Sequence, residues 1–217
     1  MSWLTPDWRD QHVDFQLDQV KKILIVRGLF RMGDAILATP AILLFRKHFP
    51  AATIDFVGPP ISKPLFENLP IDHHFEVYNS FPRAGWSYLA LLKKLRATRY
   101  DLAFDASGSS AALGSVIVGF SGARLRAGVR GKWDRWFNVR LERPAAKSKY
   151  QNLPALARSL GLESGVLYPR LFLSSSEIDH GRTRIRTLVN GAAGPLVGVF
   201  VGGRRTRGKR WDKENFL

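Results

Sequence analysis

Apolar and polar positions along this chain alternate in blocks that predict strands and helices in turn. Residues 23–26 form a continuous aliphatic run, Ile-Leu-Ile-Val, which is typical of a strand buried on both faces of a parallel sheet. After a short loop, apolar residues recur at helical spacing over residues 36–45. Residues 53–57 then predict a second strand, which a Gly-Pro-Pro turn closes.

The same alternation continues through the following hundred residues. Further strands are predicted at 74–78 and 102–104, with an amphipathic helix over 88–98 between them. Residues 111–120 and 151–160 predict two more helices. Repeated strand and helix units at this spacing predict an α/β fold with a Rossmann-like, doubly wound parallel sheet. In such a sheet the loops that follow the strands meet at one edge, where ligands bind.

Shifts in composition divide the chain into four segments. Residues 1–20 are predicted to be an N-terminal extension, and residues 21–173 the Rossmann-like domain. Residues 174–194 form a linker that is rich in serine and glycine and contains a polar helix over 177–190. Residues 195–217 begin with a new apolar strand, followed by a basic glycine-rich loop. We interpret this last segment as the incomplete start of a second domain.

Net charge predicts an anionic partner. The 217-residue chain carries a formal net charge of +15, and its basic residues concentrate over 124–149 and 204–213. Such an excess is typical of proteins that bind nucleic acid, a phosphorylated small molecule or an anionic membrane surface. A solvated basic face with no partner is the alternative.

The absence of cysteine and the hydropathy of the chain exclude several classes of protein. The chain contains no cysteine, which excludes disulfide frameworks and thiolate metal sites. Its first residues lack the pattern of a secretory signal, and its longest apolar stretch is shorter than the ~20 residues of a membrane span. We therefore expect a cytoplasmic protein.

The turn after the first strand is the first candidate site. It reads Arg-Gly-Leu-Phe-Arg-Met-Gly-Asp and ends in Gly33 and Asp34. Glycine permits close approach of the backbone, and a helix that begins at Asp34 would direct its amides at the ligand edge. Asp34 has two possible roles, an N-cap or a general base that takes a proton from a hydroxyl. The turn lacks the G-x-G-x-x-G fingerprint, so a nicotinamide cofactor is not indicated.

Two further turns carry candidate residues. Asp105 and Gly108 follow the strand at 102–104 and reach the same predicted edge, although a turn capped by Asp explains them as well. The loop at 202–211 combines glycine amides with cationic and hydroxyl side chains, which suit a phosphate or pyrophosphate, or form a basic surface loop. Neither a D-x-D pair nor a cluster at metal-ligand spacing occurs in the sequence, so we expect no metal site.

These features together resemble one enzyme family. The segment 23–41, with Arg-Met-Gly-Asp-Ala-Ile-Leu-Ala-Thr-Pro-Ala at its end, is similar to the opening of the lipopolysaccharide heptosyltransferases, glycosyltransferase family 9. Residues 100–108 and the Lys-Arg-Trp at 209–211 continue the resemblance. Members of that family have the GT-B architecture, two Rossmann-like domains that face each other across a cleft. The resemblance implies that residues 21–173 are the N-terminal, acceptor-binding domain of such an enzyme.

The resemblance also implies a reaction and its residues. The reaction is an inverting, metal-independent transfer of a heptose or related sugar from a nucleotide-sugar, usually ADP-heptose, to the lipopolysaccharide inner core. Asp34 takes the position of the catalytic base. The implied ligands of the donor phosphates are Lys209, Thr206 and Arg204. The residues implied for the acceptor are Gly33, Gly108, Arg124, Arg126, Arg130 and Lys132.

The implied partners are the nucleotide-sugar and a lipid A–core acceptor, which the protein would meet at the cytoplasmic face of the inner membrane. The nucleotide-sugar is a substrate, so no cofactor is implied. The net charge leaves a second hypothesis open, a non-enzymatic basic α/β module that binds nucleic acid or an anionic membrane surface. Trp133 and Trp136 within the first basic stretch fit that hypothesis. No nucleic-acid-binding motif is recognisable, so we do not expect nucleic acid as a partner.

Overall fold

The computed structural model of the protein divides into two compact units, Met1–Leu173 and Ser174–Leu217. The residues that the structure describes are 19–78, 83–107, 112–143, 152, 155, 158–163, 165, 167–190, 194 and 196–198. Among these residues, no helix combines the length and the apolar character needed to cross a membrane. The assignments of residues 1–20 and 195–217 stay predictions, because most of those residues lie outside the described part.

Strands and helices alternate along the first unit. The strands are β1 (Lys22–Val26), β2 (Thr53–Gly58), β3 (His73–Glu76), β4 (Leu102–Asp105), β5 (Leu125–Val129) and β6 (Val139–Leu141). The helices are α1 (Met32–Ile36), α2 (Thr39–His48), α3 (Ser62–Leu65), α4 (Arg83–Thr98) and α5 (Ala112–Phe120), with a 3-10 helix at Asp134–Trp136. The second unit contains α6 (Ser175–Val189).

The six strands form one parallel sheet in the order β3-β2-β1-β4-β5-β6. This is the strand order of the doubly wound Rossmann arrangement, so the predicted fold class is confirmed. Val26 of β1 pairs with Val57 of β2 on one side and with Asp105 of β4 on the other. The chain order reverses between β1 and β4, and such a switch point opens a crevice at the carboxyl ends of the strands.

Helices cover both faces of the central strands. Ile23 and Ile25 of β1 pack into one apolar cluster with α2, whereas Leu24 and Val26 pack into a second cluster with residues of α4 and α5. All four side chains are fully buried. This is the reason for the continuous aliphatic run, because both faces of a parallel strand must be apolar when helices cover both.

The linker helix begins earlier than the sequence predicted. α6 starts at Ser175 because Ser174 and Glu177 form a capping box. The Ser174 hydroxyl accepts from the backbone N–H of Glu177 at 3.2 Å, and the Glu177 carboxylate accepts from the N–H of Ser174 at 2.7 Å. Two donors at the helix start are thereby satisfied, so part of the serine run belongs to the helix.

Two other predicted elements lie largely outside the described residues. The helix over 151–160 is described at only some of its positions. Of the apolar strand predicted after residue 195, only 196–198 are described, and they have no regular secondary structure.

The adjacent histidines of β3 point to opposite faces of the sheet. His73 Nδ1 lies 2.8 Å from Asp55 Oδ1, and His74 Nε2 lies 2.8 Å from Ser62 Oγ. The Ser62 hydroxyl donates to the carbonyl of Pro59 at 2.6 Å. Because that hydroxyl has a single proton, His74 must donate through Nε2. The other ring nitrogen, Nδ1, is buried and has no hydrogen-bond partner in the described part.

Replacing His74 by glutamine should weaken the pH dependence of stability on the acid side. Burial beside Phe56 and Phe66 lowers the pKa of His74 below its ordinary 6.5. The unfolded chain therefore binds the proton more readily, so the stabilisation is present above about pH 6.5 and is lost as pH falls through the folded pKa. Urea unfolding at about pH 7.5 and about pH 5.5 should show a smaller difference in free energy for His74→Gln than for the wild type.

Ser62→Ala is the matched control for this experiment. It removes the hydrogen bond but leaves a buried imidazole that can still titrate, so it should lower stability at both pH values and a pH dependence on the acid side should persist. Identical pH dependence in the wild type and in His74→Gln would contradict the role of His74.

Candidate active site at the carboxyl edge of the sheet

The carboxyl ends of β1 and β4 meet at the centre of the sheet. Arg27 follows β1 directly, and Asp105 is the last residue of β4. The backbone N–H of Arg27 donates to the carbonyl of Val57 at 2.8 Å, and that of Ala106 donates to the carbonyl of Val26 at 2.8 Å. The main chain is thus tied to both neighbouring strands before it turns away from the sheet, so the start of the turn is fixed in place.

Two glycines let the turns after β1 and β4 approach α5. A Cβ atom on Gly28 would lie 2.7 Å from the backbone nitrogen of Gly114. A Cβ on Gly114 would lie 2.6 Å from Asp105 Oδ1 and would also collide with Ser107 Oγ. The N–H of Gly28 donates to that same hydroxyl at 2.7 Å. Glycine is therefore required at both positions by the close contact of three elements.

Asp105 is a buried carboxylate that organises the β4 turn. It accepts from the backbone N–H of Ser107 and from the hydroxyl of Ser115, each at 2.8 Å. Burial raises the pKa of Asp105 to about 6, against the lowering effect of these hydrogen bonds and of Arg27. The bond to Ser107 forms the turn capped by Asp that the sequence allowed as an alternative to a ligand role. At neutral pH the carboxylate is mostly ionised and compensates the charge of Arg27.

Arg27 is a buried cation at the carboxyl end of β1. The residue is 5% exposed. One terminal nitrogen donates to the carbonyl of Ala106, and the other lies 3.4 Å from Asp34 Oδ1. Burial lowers the pKa of Arg27 from its ordinary value, whereas the charges of Asp34 and Asp105 oppose that shift. The Nε of Arg27 is buried and has no acceptor among the described residues.

Asp34 is not the N-cap of the helix that contains it. α1 begins at Met32, and Arg31 occupies the N-cap position with extended backbone and no side-chain capping bond. Asp34 is the third residue of the helix, so both the predicted helix start and the capping alternative are wrong. Its side chain is 26% exposed, and it faces Arg27. A carboxylate that is partly open to solvent can be reached by a hydroxyl of a ligand, which is the placement that a general base needs.

Gly33, which precedes Asp34 in the chain, faces open space. It lies within α1, it is exposed, and a Cβ atom built on it would have no neighbour within 4 Å. Glycine in a helix costs about 1 kcal/mol relative to alanine. Neither packing nor backbone conformation within the described residues accounts for that cost. The empty space is where a ligand can approach the backbone next to Asp34.

The basic residues proposed for the acceptor lie at two different edges of the sheet. Arg130 and Lys132 follow β5 and so lie at the carboxyl edge, as Asp34 does. Arg124 precedes β5 and lies at the opposite, amino edge. The structure therefore does not bring Arg124 to the candidate site, because a strand separates it from the other edge.

Arg126 lies within β5, and its guanidinium contacts backbone carbonyls of the same domain. It donates to the carbonyl of Ala123 at 2.9 Å and points to that of Trp136 at 3.4 Å. Its side chain thus joins the start of β5 to the segment before β6, which is a structural role.

Arg130 and Lys132 present their charges to solvent. Arg130 pairs with Glu142 at 3.0 Å, and both side chains are more than half exposed. The ammonium of Lys132 lies over the ring of Trp133, 5.2 Å from its centre. Exposed cations of this kind remain available to an anionic ligand, since a surface ion pair contributes little stability.

Four of the predicted site residues lie outside the described part of the chain: Gly108, Arg204, Thr206 and Lys209. Their roles remain predictions. Within the described part, no three acidic or histidine side chains gather in a way that would hold a metal ion.

Sequence reasoning did not identify Arg27, Asp105 and Ser107 as parts of one network. The signal available was a charged residue directly after a buried strand and directly before a glycine. That signal does not show that the arginine is buried, because arginine at a strand end is usually exposed.

No protein-family model and no curated protein matches the chain, but solved structures match its fold. A glycosyl transferase of family 9 from Veillonella parvula DSM 2008 aligns with a TM-score of 0.73 and 20% identity, over 90% of this chain and 58% of that one. The E. coli ADP-heptose lipopolysaccharide heptosyltransferase II aligns with a TM-score of 0.57 and 23% identity, over 76% of this chain and 50% of that one.

The E. coli heptosyltransferase WaaC, solved with ADP, aligns with a TM-score of 0.57 and 17% identity, over 68% of this chain and 50% of that one. The chain thus spans about half the length of the structures that it matches. At these identities the likeness concerns the fold, and it supports the resemblance to glycosyltransferase family 9 that the motifs indicated. The chain has the Rossmann-like α/β fold found in these glycosyltransferases.

Proposed function

We propose that the protein is an inverting, metal-independent glycosyltransferase. The observation that carries the proposal is the placement of Asp34, a partly exposed carboxylate at the switch point of the sheet, beside open space at Gly33 and in front of the buried Arg27. Ligands of doubly wound proteins bind at this place. The matched structures, which are named as a family 9 transferase and as heptosyltransferases, support the reaction class.

In the proposed reaction a heptose or related sugar moves from a nucleotide-sugar to the lipopolysaccharide inner core. The Asp34 carboxylate takes the proton of an acceptor hydroxyl, whose oxygen attacks the anomeric carbon. The bond from that carbon to the diphosphate oxygen breaks, and the nucleoside diphosphate leaves from the opposite face, which inverts the anomeric centre. Lys209, with Thr206 and Arg204, would neutralise the charge that develops on the diphosphate, and no metal is needed for that role.

The donor proposal draws on the names of two matched structures, an ADP-heptose heptosyltransferase and a heptosyltransferase with ADP. ADP-heptose is therefore the first donor to test.

The proposed acceptor, a lipid A–core molecule, is supported by the positive charges at the carboxyl edge of the sheet. Arg130 and Lys132 are exposed cations at the same edge as Asp34, and they suit the phosphates and carboxylates of a lipid A–core molecule. Gly108, which follows β4 in the sequence, is proposed for the same surface. Such an acceptor would bring the protein to the cytoplasmic face of the inner membrane, in line with its net charge of +15.

Asp34→Asn should reduce transfer by on the order of 10²- to 10⁴-fold, because an amide cannot accept the proton of the acceptor hydroxyl. The donor should still bind, since the change lies on the acceptor side of the reaction. A transfer assay with ADP-heptose and a lipid A–core acceptor, together with calorimetric titration of ADP, measures the two effects separately. Asp179→Asn is the control, because Asp179 is exposed on α6 and pairs only loosely with Arg182, at 3.4 Å. Wild-type turnover by Asp34→Asn would refute the assignment of the base.

Gly33→Ala should lower kcat/KM for the acceptor by about tenfold or more, because a methyl group would fill the space beside Asp34 and displace the reacting hydroxyl. Its melting temperature should stay the same or rise, since alanine favours the helix by up to about 1 kcal/mol. Gly181→Ala is a matched control: it too lies in a helix, and its added Cβ would meet nothing within 4 Å. That variant should keep full activity, and equal activity of the two variants would argue against an acceptor beside Gly33.

Lys209→Ala should weaken the binding of ADP and of ADP-heptose, because it removes a cation from the proposed diphosphate site. Calorimetric titration gives the dissociation constants. Lys47→Ala serves as the control of equal charge, since Lys47 lies in the last turn of α2, at the end of the helix away from Asp34. Equal donor affinity in the wild type and in Lys209→Ala would remove Lys209 from the site.

A further inference from the structure

Arg27 connects the two elements that form the candidate site. Among the described lysines and arginines it alone is buried. One terminal nitrogen of its guanidinium donates to the carbonyl of Ala106 in the β4 turn, and the other reaches Asp34 Oδ1 in α1 at 3.4 Å. A planar guanidinium fork serves two acceptors in different directions, which the single ammonium of lysine does less well.

The β4 side of this connection is rigid. Asp105 accepts from Ser107 and Ser115, and Ser107 in turn accepts from the backbone of Gly28, next to Arg27. These bonds hold the β1 turn, the β4 turn and α5 in one network. The position of the guanidinium is therefore set from the interior of the domain.

The α1 side of the connection is looser. The contact of Arg27 with Asp34 is long, and Asp34 is partly exposed. The Nε of Arg27 adds no further bond within the described residues. One terminal nitrogen of Arg27 is thus held firmly by the β4 turn. The other terminal nitrogen lies near the carboxylate of Asp34, which solvent or a ligand can reach.

The charges of Arg27, Asp34 and Asp105 are compatible with the transfer of a proton to Asp34. Arg27 faces two carboxylates, Asp34 from α1 and Asp105 from β4, so the three groups carry a net charge of −1 when all are ionised. A buried cation without a counter-charge is costly. If Asp34 takes a proton, Asp105 remains as the counter-ion of Arg27, so the buried cation stays compensated throughout the reaction.

We propose that Arg27 is a positioning residue that holds the Asp34 carboxylate towards the acceptor, with Asp105 and Ala106 as its anchor. In the step that it supports, the O–H bond of the acceptor breaks and an O–H bond forms on Asp34. Arg27 keeps all its protons, and Asp105 neither gives nor receives one. The proton transfer rests on the proposed function, whereas the coupling of Arg27 to Asp34 can be tested without any substrate.

The first test is spectroscopic and uses the full chain labelled with ¹⁵N. A buried Nε–H exchanges slowly with water and gives a resonance of its own, which Arg27→Lys identifies by its loss. Asp34→Asn should shift that resonance, and Asp105→Asn should shift it as well. Asp179→Asn is the control and should leave it in place. A resonance that moves in Asp105→Asn but stays unchanged in Asp34→Asn would overturn the proposal, because Arg27 would then serve the β4 turn alone.

The second test is kinetic. Arg27→Lys should lower kcat by on the order of 10- to 100-fold while KM for the donor stays unchanged, because a displaced base slows the chemical step without touching the donor site. Arg27→Gln, which also loses the charge, should be slower than Arg27→Lys. Wild-type kcat in Arg27→Lys would overturn the positioning role. Absence of sugar transfer by the natural full-length protein would refute the proposed function instead, and the resonance of Arg27 would still decide whether Arg27 is coupled to Asp34.

Discussion

The parallel pairing of β1 with β4 is the constraint on which the rest of the structure depends. β1 bonds to β2 on one side and to β4 on the other, so the connections that leave β1 and β4 diverge and a crevice opens between them. The contact of Gly28 with Gly114 closes the base of that crevice, because it brings α5 against both turns. The polar contacts of Arg27 follow from this arrangement, because Arg27 can meet Asp105 and Ala106 only where β1 and β4 end side by side.

The central strands and the edge strand β3 could be predicted from the sequence, whereas β5 and β6 could not. β1, β2 and β4 are buried on both faces, so their sequences are nearly continuous apolar runs. β5 and β6 each contain an arginine, Arg126 and Arg140, which interrupts the apolar pattern. The connection between these two strands contains only a 3-10 helix, so the helical periodicity that marks the other crossovers is missing there. β3 lies at the edge of the sheet and carries two histidines, which interrupt the apolar pattern, so its predicted bounds were displaced by one residue at the start and two at the end.

Those residues of the candidate site that stand in one short sequence motif could be predicted. Contacts between residues that are far apart in the sequence could not. Gly33 and Asp34 stand in one short motif, so both could be named as candidates from the sequence. The helix start was placed wrongly because the extended backbone of Arg31, and not a side-chain cap, begins α1. The bond from Arg27 to the β4 turn joins residues 79 positions apart, which no local pattern reveals. Arg124 and Arg130 are close in sequence, but a strand of five residues at about 3.3 Å per residue puts them at opposite edges of the sheet.

Three departures from ordinary packing rules occur together at the carboxyl edge of β1 and β4, although among the described residues His74 Nδ1 is also buried without a partner and Gly181 is also a helical glycine beside open space. A helical glycine has no neighbour to explain it, a buried arginine leaves its Nε without an acceptor in the described part, and burial raises the pKa of a carboxyl group to about 6. The buried Asp55, in contrast, is fully engaged, since it accepts from Tyr100 at 2.5 Å and bonds to His73 at 2.8 Å. Features that cost stability persist where function requires them. Because the three features occur together at the switch point of the sheet, where ligands of doubly wound proteins bind, they support the proposed placement of the active site at this edge.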